Sequence, residues 1–186
     1  MGAAVRIAVL VGVSSLALAA CSNNDKAANE VADQLPDLTS VGLTEFTCGE
    51  GDAIAGSFQA PEDPYVAECW KGSPDKTFLD VANSAQDAVI LATGGVNVTS
   101  DVCPEDSLSA AGGIACRAAL VGEGESGVIV RTVVVLADPE TALVNLPESP
   151  TQEQINESIT GAAVEVLVGT EPAIQETADS SPSASS

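Results

Sequence analysis

Histidine is absent from this 186-residue chain, and only 6 Lys and Arg stand against 27 Asp and Glu. Without imidazole there is no Ser-His or Cys-His nucleophile activation, no His-ligated zinc and no ordinary near-neutral proton shuttle. A formal charge of −21 argues against binding nucleic acid, whose phosphates are met by Lys and Arg. Aromatic residues supply only 3 %, so the core must be built from Val, Ala, Ile and Leu. What is plentiful is apolar: 45 % hydrophobic residues are too many for a wholly disordered chain, and the length fits one domain with flanking segments.

The chain starts with an address. Arg6 is the only charge before Ile7–Ala20, a run of 14 uncharged residues. As a helix that run spans about 21 Å, short of the ~30 Å hydrocarbon core of a bilayer. A charged start, a short apolar stretch and small residues before a cut point to a secretory signal over residues 1–20 rather than a membrane span. Leu18-Ala19-Ala20-Cys21 resembles the lipobox of bacterial lipoproteins. The resemblance implies a diacylglycerol on the Cys21 thiol and a mature N-terminus at that residue. Two acyl chains hold a protein stably where one does not. The expected placement is therefore the cell membrane, lipid-anchored and facing the extracytoplasmic side. An anionic lipid surface would repel so acidic a body, so the lipid must do the holding.

Residues 21–40 are polar and acidic without an apolar period and are expected to form a flexible tether, spanning roughly 20–25 Å as a random coil, with a short helix around Lys26–Gln34 as the alternative. The Ser-rich end, residues 169–186, reads as a disordered tail. A single α+β domain is expected over 41–168.

Four cysteines remain in that body: Cys48, Cys69, Cys103 and Cys116. An even number in an exported chain reads as two disulfides, and four cysteines allow three pairings. The favoured one joins Cys48 to Cys69 and Cys103 to Cys116, because both links close short loops beside strands. A metal cluster would want CxxC spacing, which is missing.

Thr77–Thr93 has Phe78, Val81, Ala82, Ala85, Val89 and Ala92 at helical spacing, a Thr77 cap and a Gly94-Gly95 stop. Val96–Val102 alternates like a strand. Ile114, Cys116, Ala118 and Leu120 share one face of a second strand, and Val128–Leu136 is the most β-prone run. Asp138-Pro139 starts a short helix, Thr151 and Gln154 form a capping box, and Val164–Val168 is a last strand. The expected fold is α+β: a small antiparallel sheet packed on one or two helices, stapled by two disulfides.

The order of helix, strand, Val102-Cys103-Pro104-Glu105-Asp106, a Gly at 112 or 113, and Cys116 resembles a small domain of unknown function in actinobacterial lipoproteins, with its V-x-C-P-x-D-L…G…C pattern. The likeness covers about Phe78–Leu146. The chain departs from it at Val102, directly before Cys103, and at Ser107, before Leu108. It implies a bond between Cys103 and Cys116 and no particular activity.

Motifs that suggest chemistry dissolve in context. Gly122-x-Gly124-x-x-Gly127 precedes a β-rich run instead of a helix, so it reads as a hairpin turn rather than a dinucleotide loop. Ser73-Pro74-Asp75-Lys76 has the S-x-x-K form but lacks the companion motifs of serine acyl enzymes. The pairs Glu50/Asp52, Glu62/Asp63 and Glu105/Asp106 lack the calcium-loop pattern and read as solvated surface. Trp70 beside Cys69 is expected to pack over a disulfide.

No catalytic, cofactor-binding or metal residues are expected. The functional expectation is a lipid-anchored, non-enzymatic binding or envelope-interaction module, with a protein or small-molecule partner in the cell envelope. The alternative is a solute- or lipid-binding carrier with an apolar cavity, and a further one is a hydrolase using carboxylates alone.

Overall fold

The computed structural model describes residues 26–49, 66–109, 113–123, 126–144, 146–147, 149, 151, 153–155 and 159–173. Helical residues 26–32 form α1, followed by a 3-10 turn at Leu38–Val41 and strands β1 (Thr44–Phe46) and β2 (Val66–Gly72). Then come α2 (Phe78–Thr93), β3 (Val96–Asn97), the short helices α3 (Thr99–Val102) and α4 (Glu105–Leu108), and the strands β4 (Ile114–Val121) and β5 (Val128–Leu136). The short helix α5 (Pro139–Leu143) and strand β6 (Val164–Pro172) complete the order. The expected α+β class with an antiparallel sheet holds. The sheet has six strands in the order β1-β2-β6-β5-β4-β3, every pairing antiparallel.

Local chemistry explains α2. The Thr77 side chain accepts from the Asp80 N–H at 3.1 Å, and Gly94, at φ 68°, closes the last turn by donating to the Ile90 carbonyl. Phe78, Val81, Ala82, Ala85 and Val89 are buried as their spacing predicts. Ala92 is not: it lies in the exposed last turn, while Gln86, a polar residue, is buried instead. That amide donates to the Ala118 carbonyl at 3.1 Å and to the Thr99 hydroxyl at 2.8 Å, so its burial is compensated.

The main core lies between α2 and one sheet face, where Ala115, Ala119, Val130, Val134, Val166 and Val168 meet the helix residues. Small side chains let the layers approach closely, at about 0.8 kcal/mol per buried methylene. The other sheet face is buried too. Cys69, Val133 and Val135 pack with Phe46, Ile114 and Leu167, and Cys103, Cys116 and Ala118 pack with Val98, Val102, Leu108 and Ile129. Burial on both faces is why β5 is an almost continuous apolar run.

Both disulfides take the favoured pairing, Cys48–Cys69 and Cys103–Cys116. They lie on the sheet face away from α2.

Three expectations need correction. The strand expected at Val96–Val102 stops at Asn97, because the Asn97 side chain accepts from the Thr99 N–H at 2.9 Å and turns the chain into α3. The Thr99 hydroxyl then takes the Ala118 N–H at 3.0 Å, a side chain standing in for the lost ladder bond. Trp70 does not pack over the Cys48–Cys69 bond, because neighbours in a strand point to opposite faces, and the indole joins the α2 core. Third, the packed body extends beyond 41–168 at both ends. Ala28, Val31 and Leu38 are buried and β6 runs to Pro172.

Candidate functional site

The N-terminal segment makes the site. Leu38 and Val41 are buried in the core, and this holds the segment before β1 against the first two strands. Asp37 caps the 3-10 turn, its side chain accepting from the Thr39 N–H at 2.8 Å, which draws its carboxyl below the usual value. At the end of β2 the chain passes so close to the turn that a Cβ on Gly72 would stand 2.7 Å from the Gly42 carbonyl oxygen.

Pairing of β1 with β2 sets Glu45 directly opposite Trp70, with Glu68 two residues along the same face. These three line an open cleft of about 420 Å³ whose far wall is Leu35, Pro36, Asp37 and Thr39. A second open cleft, of about 530 Å³, continues along the strands past Thr47 and Cys48. Glu45 and Glu68 line both. No Lys or Arg is among the described residues that line either one.

The electrostatics single out Glu68. It is half-buried, and burial pushes its carboxyl above the ordinary value, with Glu45 adding repulsion. The Trp70 indole N–H acts on the Glu68 carboxyl in the opposite direction, favouring its charged form without reaching full hydrogen-bond geometry, and the indole nitrogen is itself buried. Trp70 is 5 % exposed. A half-buried acid, a second carboxylate and a buried indole therefore share one recess.

The residues singled out in the sequence fall elsewhere. Cys21, Glu50, Asp52, Glu62, Asp63 and Gly124 lie outside the described residues. Glu105 and Asp106 are exposed in the first turn of α4. Among the described residues no group of three or more Cys, Asp or Glu side chains could hold a metal ion. Ser73 is exposed, and the Lys76 ammonium donates to Ser84 Oγ at 3.1 Å. Gly122, at φ 81°, opens the connection between β4 and β5, and the two strands pair from Val121 and Val128 onward. Among the described residues no helix is long and apolar enough to cross a membrane.

Glu45, Glu68 and Trp70 were not legible as a site, because β1 and β2 give only a weak strand signal. The available clue is the alternation Val66, Glu68, Trp70, which sets an acid beside an aromatic on one inward face. No family model, curated protein or solved structure matches this chain.

Proposed function

We propose that the protein is a membrane-anchored, extracytoplasmic lipoprotein, held by lipid at Cys21 and acting as a non-enzymatic binding module. The observation that carries the binding part is the Glu45–Glu68–Trp70 recess, an open cleft where two carboxylates stand with no Lys or Arg among the described lining residues. Two disulfides support an oxidising location, since thiols stay reduced in most cytosols. Both clefts are open and lined by carboxylates, which favours recognition at the surface over carriage in an apolar cavity.

The test is detergent-phase partition of the full chain together with mass spectrometry of its N-terminus. Expected are the detergent phase and a diacylated Cys21. An unmodified Cys21 or a retained Met1 would overturn the anchor.

One observation favours a second reading. Two carboxylates in a cleft, one held protonated to higher pH, are the minimum equipment of acid–base hydrolysis. That reading requires Glu68→Gln to abolish turnover of some substrate while leaving its binding intact.

A further inference from the structure

We propose that α1 is a strap that holds the body within about 18 Å of the bilayer, with the exposed residues Lys26, Asn29 and Glu30 at its start facing the lipid headgroups. The inference rests on the lipid-anchor reading at Cys21 and adds which surface meets the membrane and how closely.

Packed structure begins inside the stretch that reads as a tether. Ala28 is fully buried and Val31 is 6 % exposed, three residues apart on one face of α1. Val31 belongs to the main core, and Ala27 and Leu35 pack against it. The end of the helix is closed by the Asp33 N–H on the Asn29 carbonyl at 2.9 Å and the Gln34 N–H on the Val31 carbonyl at 3.0 Å. The 3-10 turn beyond is fixed as well, because Leu38 is fully buried. Unwinding α1 would return these apolar side chains to water and free those backbone groups.

Covalent geometry then sets the height. Cys21 and Lys26 are five Cα steps apart, so the link between them spans at most about 18 Å in any conformation. Were α1 unpacked, the link would run 17 steps to Leu38 and reach about 60 Å. Charge makes the difference matter. The chain carries a formal −21, and an anionic bilayer pushes it outward across a screening length of about 30 Å at 0.01 M salt. Lys26 is the only base between Cys21 and Trp70, and its ammonium stands 3.4 Å from Glu30. Attraction of this one cation to lipid phosphates does not offset so many acids, so the link is drawn taut. A body pulled away from its anchor turns its attachment point toward the lipid, which brings Lys26, Asn29 and Glu30 nearest the headgroups.

The experiment is neutron reflectivity of the lipidated chain on a supported bilayer containing phosphatidylglycerol, at about 0.01 M salt, where repulsion is long-ranged. It reads the water layer between headgroups and body. Expected is a layer no thicker than about 18 Å. An insertion of about twenty Gly and Ser residues between Asp25 and Lys26 alters no described residue and should widen the layer by roughly 25 Å or more. Ala28→Glu, which forces a charge into the packed face of α1, should widen it toward the reach of the longer link, with urea denaturation as the check that the sheet stays folded. A native layer much thicker than 18 Å, or as thick as that of the insertion variant, overturns the proposal.

The mass of Cys21 in the same preparation reports the anchor separately. If Cys21 is unmodified, the anchor reading fails, and the height is read on the chain coupled through its Cys21 thiol to a maleimide lipid, the other four cysteines being paired. A lipidated chain standing far from the bilayer refutes the strap alone. A coupled chain that stands close, but carries no lipid of its own, refutes the anchor alone.

Discussion

Arg117 on β4 donates from Nε to Asn83 Oδ1 on α2 at 2.8 Å and from Nη1 to the Cys116 carbonyl at 2.7 Å, with no carboxylate at ion-pair distance among the described residues. Only 8 % of the residue is exposed, and burial lowers the guanidinium pKa from its usual value. The helix-to-sheet contact is thus made by a cation paired with a neutral amide, in a chain carrying 27 acids. A charged acceptor strengthens such a bond by about 1 kcal/mol. Asp80 and Asp87 on the same helix take back a few tenths each, as like charges about one turn away. Asn83→Asp is therefore expected to stabilise the fold by about 0.5 kcal/mol, read as a higher urea midpoint with an unchanged slope. A lower midpoint would mean that the guanidinium reaches enough solvent to need no counter-charge.

The other buried arginine has its counter-ion. Arg131 donates from Nε to Glu171 Oε1 at 3.1 Å and from Nη2 to the same oxygen, with side chains 8 % and 10 % exposed. Its Nη1 reaches the Val102 carbonyl at 3.5 Å, tying α3 to the sheet. Removing one partner strands a buried charge, so Glu171→Gln should cost about 3 kcal/mol. The paired change Arg131→Met with Glu171→Leu should recover most of that loss, because no charge is then left unpaired. Both outcomes are read from urea denaturation. If the double variant is no more stable than Glu171→Gln, the tie to Val102 carries more than the ion pair.

Legibility in the sequence followed the range of the interactions. Helix α2 was read with its cap, its stop and most of its buried face, because each of these lies within a few residues. The β4–β5 hairpin and the Cys103–Cys116 link were also short-range. β1 was not legible: three residues long, it is defined by pairing with a partner some 25 residues away, Glu45 against Trp70. Trp70 was misplaced for the same reason, since its face follows only once β2 is known to be a strand. At Val96–Val102 the apolar alternation was real, but the Asn97-to-Thr99 hydrogen bond outweighed it. The recess combines both difficulties, because Glu68 acquires its unusual environment from β1 and from the segment before it.

That environment carries a pH signature. The folded state holds Glu68 above its ordinary 4.5, through burial first and Glu45 second, so the native chain binds this proton more tightly than the unfolded chain. In the window just above 4.5 the native state retains more protons, and stability falls as pH rises through it. The penalty is complete above the native pKa and absent well below 4.5. Glu68→Gln removes the titration and should raise the melting temperature at pH 7 while leaving it unchanged at pH 3. Solvent screening keeps the gain under about 1 kcal/mol. Glu45→Gln should shift the same step toward lower pH without removing it. A Glu68→Gln variant less stable at pH 7 would show instead that the indole N–H holds the carboxylate as a charged partner.

The two disulfides should respond differently to reductant, because their sulfurs differ in access. Cys103 and Cys116 are 8 % and 1 % exposed, whereas Cys48 is exposed and only its partner Cys69 is buried. Thiolate attack needs a reachable sulfur, so limited dithiothreitol followed by maleimide should modify Cys48 before any other described cysteine. Glu45 and Glu68 line the cleft beside Cys48, and their charge repels an incoming thiolate. Raising the salt shortens the screening length to about 10 Å at 0.1 M, so it should speed reduction of Cys48–Cys69. Reduction of Cys103–Cys116 should wait for global opening and show little salt dependence. Loops of 21 and 13 residues are each worth about 3 kcal/mol in chain-entropy terms, so losing either bond should lower the urea midpoint by a similar amount. The two differ in what is released, since Cys103 anchors α3 and α4 to β4. Reduction in the opposite order, or a Cys48–Cys69 rate indifferent to salt, would show that local opening of the sheet edge governs access rather than the exposure and charge of the closed cleft.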